Sequence, residues 1–257
     1  MFVDSHCHLN FPELKAELNS ILKEMRNNKV THALCVSVEI DKFDEIYQLS
    51  QNHDNLFASV GVHPDYEDIQ EPTIDELISI AKKDKVVAIG ETGLDYFRLK
   101  GDLEWQRDRF RNHIRAANES GLPLIIHTRE AREDTIKILK EELEPGTRGV
   151  LHCFTETYEM AMQAIELDFF ISFSGIVTFK NAQDLKETAK KLPLERMLIE
   201  TDSPYLSPIP FRGKINNPSR VIHVAEEISQ LKNIDIEEVA HVTTKNFFDL
   251  FSKCVAK

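Results

Sequence analysis

Phe2-Val3-Asp4-Ser5-His6-Cys7-His8 opens the chain as an apolar strand ending on two histidines one residue apart. In extended backbone, side chains at i and i+2 share a face, so both imidazoles point one way and Cys7 the other. Two neutral imidazoles on one face make a poor core and a good half of a metal site. A doubly wound sheet would carry a Gly-rich turn after its first strand. None follows His8, so that architecture is the second choice.

Seven further short apolar runs follow: Ala33–Val38, Leu56–Val62, Val86–Gly90, Pro123–His127, Gly149–Phe154, Phe169–Ser174 and Met197–Asp202. They are rich in Val, Ile, Leu and Phe with little alternation, as parallel strands covered on both faces require. Between them lie helical segments such as Pro12–Asn28, Leu103–Ser120 and Ala131–Leu143. The last carries Ile136, Leu139 and Leu143 at the spacing of a packed helical face. Gly121-Leu122-Pro123 and Pro145-Gly146 are stop signals, and Asn216-Asn217-Pro218-Ser219 offers a cap with proline in a first turn. A helix pair, 219–232 and 236–251, ends the chain. Eight strand–helix units, with no linker or low-complexity stretch, predict a (β/α)8 TIM barrel forming one domain over 1–257.

The chain has 257 residues, 42% hydrophobic and 29% charged, which fits one barrel with a large core. No apolar run approaches the roughly 20 residues that span a bilayer, and the start shows no signal-peptide pattern. Cys7, Cys35, Cys153 and Cys254 form no C-x-x-C pair. A reducing, cytoplasmic location is expected, with no membrane and no obligate protein partner. The net charge of −12, from 43 acids and 31 bases, speaks against a general nucleic-acid binder. Bound cations and a few arginines can still make one site locally positive.

A barrel puts its functional side chains at the C-terminal ends of its strands. Five of the ten histidines, His6, His8, His63, His127 and His152, fall at or just after predicted strand ends. Glu91 and Asp202 occupy the same kind of position. Nitrogen and oxygen donors without thiolate suit Zn²⁺, Mn²⁺ or similar ions, with Mg²⁺ open where carboxylates and water dominate. Even six of these seven side chains exceed what one tetrahedral ion needs; two ions about 4 Å apart, sharing a carboxylate, use them economically.

Taken together, Ser5-His6-Cys7-His8-Leu9, Gly61-Val62-His63-Pro64, Gly90-Glu91-Thr92-Gly93-Leu94-Asp95, Ile126-His127, Leu151-His152-Cys153-Phe154 and Glu200-Thr201-Asp202-Ser203-Pro204 resemble the motif set of the TatD family. That family comprises metal-dependent deoxyribonucleases within the amidohydrolase superfamily. The resemblance implies that His6, His8 and Asp202 hold one metal and His127 and His152 a second, with Glu91 bridging. It also implies substrate contacts for His63 and for Arg212, in Pro210-Phe211-Arg212-Gly213.

The implied activity is divalent-metal-dependent hydrolysis of DNA phosphodiesters at ends or single strands, stepwise from a 3′ end, with Mg²⁺, Mn²⁺ or Zn²⁺. Paired cations acidify water and offset charge on phosphate, and Asp202 is the candidate acceptor of the water's proton. Glu200, two residues before Asp202, is placed one layer deeper, able to orient a histidine or to pair with a barrel base. Cys7 and Cys153 read as small buried residues, and Phe247, Phe248 and Phe251 as core. Arg98, Lys100, Arg129, Arg132, Arg212 and Lys214 are the rim cations a nuclease groove could use. Two alternatives stay open: hydrolysis of an amide, lactone or aminoacyl-tRNA ester on the same barrel, and a metal-bound scaffold without turnover.

Overall fold

The structure is a computed structural model that describes residues 1–67 and 69–254. Eight strands, β1 (Phe2–Cys7), β2 (Val30–Cys35), β3 (Leu56–Val60), β4 (Val86–Asp95), β5 (Leu124–Arg129), β6 (Gly149–Leu151), β7 (Phe169–Phe173) and β8 (Met197–Ile199), pair in parallel in sequence order. The ring closes where His8 N–H donates to Ser203 and Asp202 N–H to His6, at 2.8 and 2.9 Å. The TIM-barrel architecture is as expected. Around it run α1 (Pro12–Lys15), α2 (Leu18–Asn27), α3 (Phe43–Asn52), α4 (Ile74–Ala81), α5 (Glu104–Ser120), α6 (Arg132–Glu142), α7 (Tyr158–Glu166), α8 (Gln183–Lys191), α9 (Val221–Lys232) and α10 (Ile236–Leu250).

One core cluster takes a side chain from every strand, Val3, Leu34, Phe57, Val87, Ile125, Val150, Phe170 and Leu198 among them. Phe247 and Phe251, at the end of α10, belong to this cluster and floor the barrel. The larger cluster, holding Leu9, Phe110, Phe154 and Phe173, fills the shell between strands and helices. With its floor plugged by aromatic side chains, the barrel opens to ligands at the strands' C-terminal ends.

Several boundaries differ from the sequence reading: β3, β6 and β8, expected to run to Val62, Phe154 and Asp202, stop at Val60, Leu151 and Ile199, and three further differences concern α1–α2, β2 and β4. The helix expected over Pro12–Asn28 is two helices broken at Ala16–Glu17. Strand β2 starts three residues early, at Val30. Strand β4 runs on to Asp95, so Glu91 lies inside it and not after its end.

Candidate metal centre

The β1 histidines enter the mouth through a change of register. Val3 points to the axis, and Ser5 bonds Ser172 on β7 at 3.1 Å. Strict alternation would then carry Cys7 inward and both histidines out. The β1–β2 register shifts between Asp4 and Cys7, which reverses the parity. Cys7 joins the outer core and His6 and His8 turn inward, their Nε2 atoms 3.3 Å apart. A second shift, between Ile89 and Thr92, aims Glu91 from β4.

Glu91 stands at the centre. Its Oε2 lies 3.2 Å from His6 Nε2. Its Oε1 lies 2.8 Å from His152 Nε2, 3.3 Å from His127 Nδ1 and 3.3 Å from His63 Nε2. Asp202 Oδ1 is 3.7 Å from His6 and 3.5 Å from His8. All six expected ligands therefore meet at one end of the barrel. His63 stands as close to Glu91 as His127 does, and His152 stacks on His6 at 3.9 Å. Arg212 is elsewhere: it is exposed, with its guanidinium 3.6 Å over the Phe179 ring, and it does not line the cleft.

The outward nitrogen of three imidazoles is occupied. His8 Nδ1–H donates to the Val36 carbonyl at 3.0 Å, His127 Nε2–H to Asp95 Oδ2 at 3.2 Å, and His152 Nδ1–H to Glu200 Oε1 at 3.3 Å. With that nitrogen donating, each ring turns its other nitrogen toward the carboxylates, where a deprotonated ring would offer a lone pair. His152 Nε2 is buried 2.8 Å from Glu91 and has no hydrogen-bond partner. Two lone pairs at that range repel unless positive charge lies between them, so the donor set fits divalent cations. Donors of His6, His8 and Glu91, of His6, His152 and Asp202, and of His63, Glu91 and His127 each lie within 4.8 Å of one another.

The electrostatics agree. Burial raises the Glu91 carboxyl, but His152, His63 and His6 outweigh it and hold it well below the usual range. Burial disfavours charge on His152, yet Glu91 and Glu200 raise it well above an ordinary imidazole. For His63 burial is likewise overcome by Glu91 and Asp65, which lift it to about 9. His6, deepest in and beside His152, is lowered. The carboxylates around these imidazoles thus favour positive charge at the centre.

Spacing did not single out Asp95, Asp65 and Asp4 for a role. Asp95 accepts from His127 and from the backbone N–H groups of Phe97 and Arg98; against burial, these bonds lower it to about 2. Asp65 holds both His63 Nδ1 and Arg98. Buried Asp4 clamps Thr201 through its N–H at 2.8 Å and its hydroxyl at 2.5 Å, fixing the turn that carries Asp202. A carboxylate two residues from a histidine, as in His63-Pro64-Asp65 or Asp4-Ser5-His6, is the signal that was available. Glu200, reached by the i+2 argument, does orient a histidine.

A parallel barrel with clustered imidazoles and carboxylates at its open end is the architecture of a metal-dependent hydrolase. The family model described as TatD related DNase matches residues 3–252. Among relatives, the uncharacterized metal-dependent hydrolase YcfH of Escherichia coli is 44% identical over 253 residues, covering 97% of this chain and 95% of that one. YabD of Bacillus subtilis, named likewise, is 41% identical over 252 residues, covering 98% and 99%. The crystal structure of the TatD homologue YjjV from Escherichia coli superposes with a TM-score of 0.91 at 28% identity, covering 98% of each chain. The chain belongs to the TatD family of metal-dependent hydrolases.

Proposed function

We propose that the protein hydrolyses phosphodiester bonds in DNA, stepwise from a 3′ end, with two divalent cations (Mg²⁺, Mn²⁺ or Zn²⁺) bridged by Glu91, and that it works in the cytoplasm. The observation that carries this reading is the division of labour at Glu91: Oε2 faces His6, and Oε1 faces His127 and His152. His6, His8 and Asp202 would hold one ion, His127 and His152 the other. When bound, the ions supply positive charge that acidifies water and offsets charge gathering on the phosphoryl oxygens.

The chain's own side chains do the rest. Asp202, lowered despite burial by His8, His6 and His152, accepts the attacking water's proton at its carboxylate. His63 Nε2, steadied through Nδ1 by Asp65, contacts the phosphate or leaving oxygen. Arg212, outside the cleft, would meet only a strand running on past it. The family description names DNase, which supports DNA as substrate.

Incubation of metal-reconstituted protein with end-labelled single- and double-stranded DNA tests this, with Glu91→Ala as control. Shortening from the 3′ end, abolished in the variant, is expected. Intact strands alongside cleavage of a neutral ester or lactone would move the activity to another bond.

A further inference from the structure

The cleft, about 430 Å³ in volume, has two walls that metal chemistry leaves unused. In the ring of strands, β1 and β8 lie across from β5 and β4. Segments leaving one pair therefore face segments leaving the other over the mouth. On the β1/β8 side Tyr205, 54% exposed, stands edge-on to Phe11 at 6.2 Å, and Phe11 stacks on His8 at 4.9 Å. Ile176 and Leu206 continue this apolar shelf. On the β4/β5 side the Arg129 guanidinium lies 3.8 Å over the ring of Phe97, itself 50% exposed.

Two arginines line the cleft, Arg98 and Arg129. Arg98 is neutralised by Asp65. Arg129 makes no ion pair among the described residues; it is held flat by Phe97, which leaves its donor edge free for an anion. A cationic edge opposite an aromatic shelf, astride a phosphate-type metal centre, matches the alternation of phosphate and base in a nucleic-acid strand.

Building on the phosphodiesterase reading, we propose that the two walls hold one unpaired nucleotide across the metal centre. Its base stacks on Tyr205 backed by Phe11, and Arg129 grips the adjoining phosphate. Aromatic rings offer no code of donors, so the shelf accepts any base. It favours single strands and frayed ends, because a base inside a duplex already has both faces covered.

The test titrates fluorescein-labelled phosphorothioate single strands, one base-bearing and one abasic, into the metal-loaded enzyme, read by anisotropy. Cleavage of the natural-linkage strands is followed in parallel. Tyr205→Ala should weaken the base-bearing strand about tenfold and leave the abasic strand unchanged, with Tyr205→Trp restoring binding. Arg129→Ala should weaken both strands and lower the salt slope by about one phosphate contact; Lys23→Ala, on the outer helices, should do neither. Metal content stays at the wild-type level throughout. Equal loss on both strands in Tyr205→Ala, unchanged binding in either variant, or a wild type that binds no strand overturns the proposal. A wild type that binds with this pattern but leaves DNA uncut defeats the phosphodiesterase reading alone. One that cuts while both variants bind normally defeats the subsite alone.

Discussion

Three imidazoles of the centre owe their useful tautomer to a neighbour: Val36 for His8, Asp95 for His127, Glu200 for His152. Asp95→Asn weakens this hold on His127 and is expected to lower metal affinity or turnover about 10- to 100-fold. A metal titration giving wild-type affinity would show that Asp95 does not orient the ring. The raised imidazoles set the direction of a pH effect. His152 is raised well above an ordinary imidazole, and His63 beside Glu91 to about 9, so a metal held by His152 and Glu91 must displace the proton on His152 and repel the one on His63. Affinity should climb with pH through neutrality toward 9, with proton release visible by calorimetry in buffers of different ionisation heat; a pH-independent affinity contradicts this. The six clustered side chains were legible in the sequence because each sits where an apolar run stops. Asp95 was not legible, because it depends on β4 continuing past Glu91, and no residue pattern announces that.

At the scale of elements, β4 does most of the positioning, and its glycines show how tightly it lies against β5. A Cβ on Gly93 would sit 2.0 Å from the His127 carbonyl oxygen, at a φ of +134° that side chains avoid. Gly93→Ala should cost at least about 1–3 kcal/mol and displace His127, seen as a lower melting temperature together with lost metal. A variant of unchanged stability would show that the strands can part freely. Helix α5 carries another constraint. Buried His113 donates through Nδ1 to the Arg109 carbonyl and accepts the Val62 N–H at Nε2, a pattern only the neutral ring can make, and burial lowers it from 6.5 to about 4. Above pH 6.5 the ring is neutral folded or unfolded. Between 6.5 and 4 the unfolded chain takes a proton that the fold refuses, so acid removes up to ~3 kcal/mol over that window. The melting temperature of His113→Gln should fall less than the wild type's from pH 6.5 to 4; parallel curves would exclude His113 as the source. Strand positions were readable from apolar runs. The parity reversal in β1 was not, because it comes from pairing with β2. Nor was the break at Ala16–Glu17, where no glycine or proline interrupts a sound helical pattern.

As a whole the molecule is an acidic barrel, net charge −12, closed below by Phe247 and Phe251 at the end of α10 and open above on a cleft whose arginine without an ion pair among the described residues is Arg129. Strand binding should therefore be weak without metal and fall steeply with salt when metal is present. Insensitivity to salt would point to an uncharged substrate. Barrel and family were legible because eight similar units and six motifs agree over the full length. The position of Arg212 was not, since its loop folds the side chain onto Phe179. The proposed hydrolysis depends on Glu91 joining two groups of side chains around two cations. The direct measurement is elemental analysis of chelator-stripped protein reconstituted with Mn²⁺, beside Glu91→Gln treated alike. Two ions per chain in the wild type and at most one in the variant is the expected result; trace metal in the wild type, or two ions retained by the variant, would contradict it.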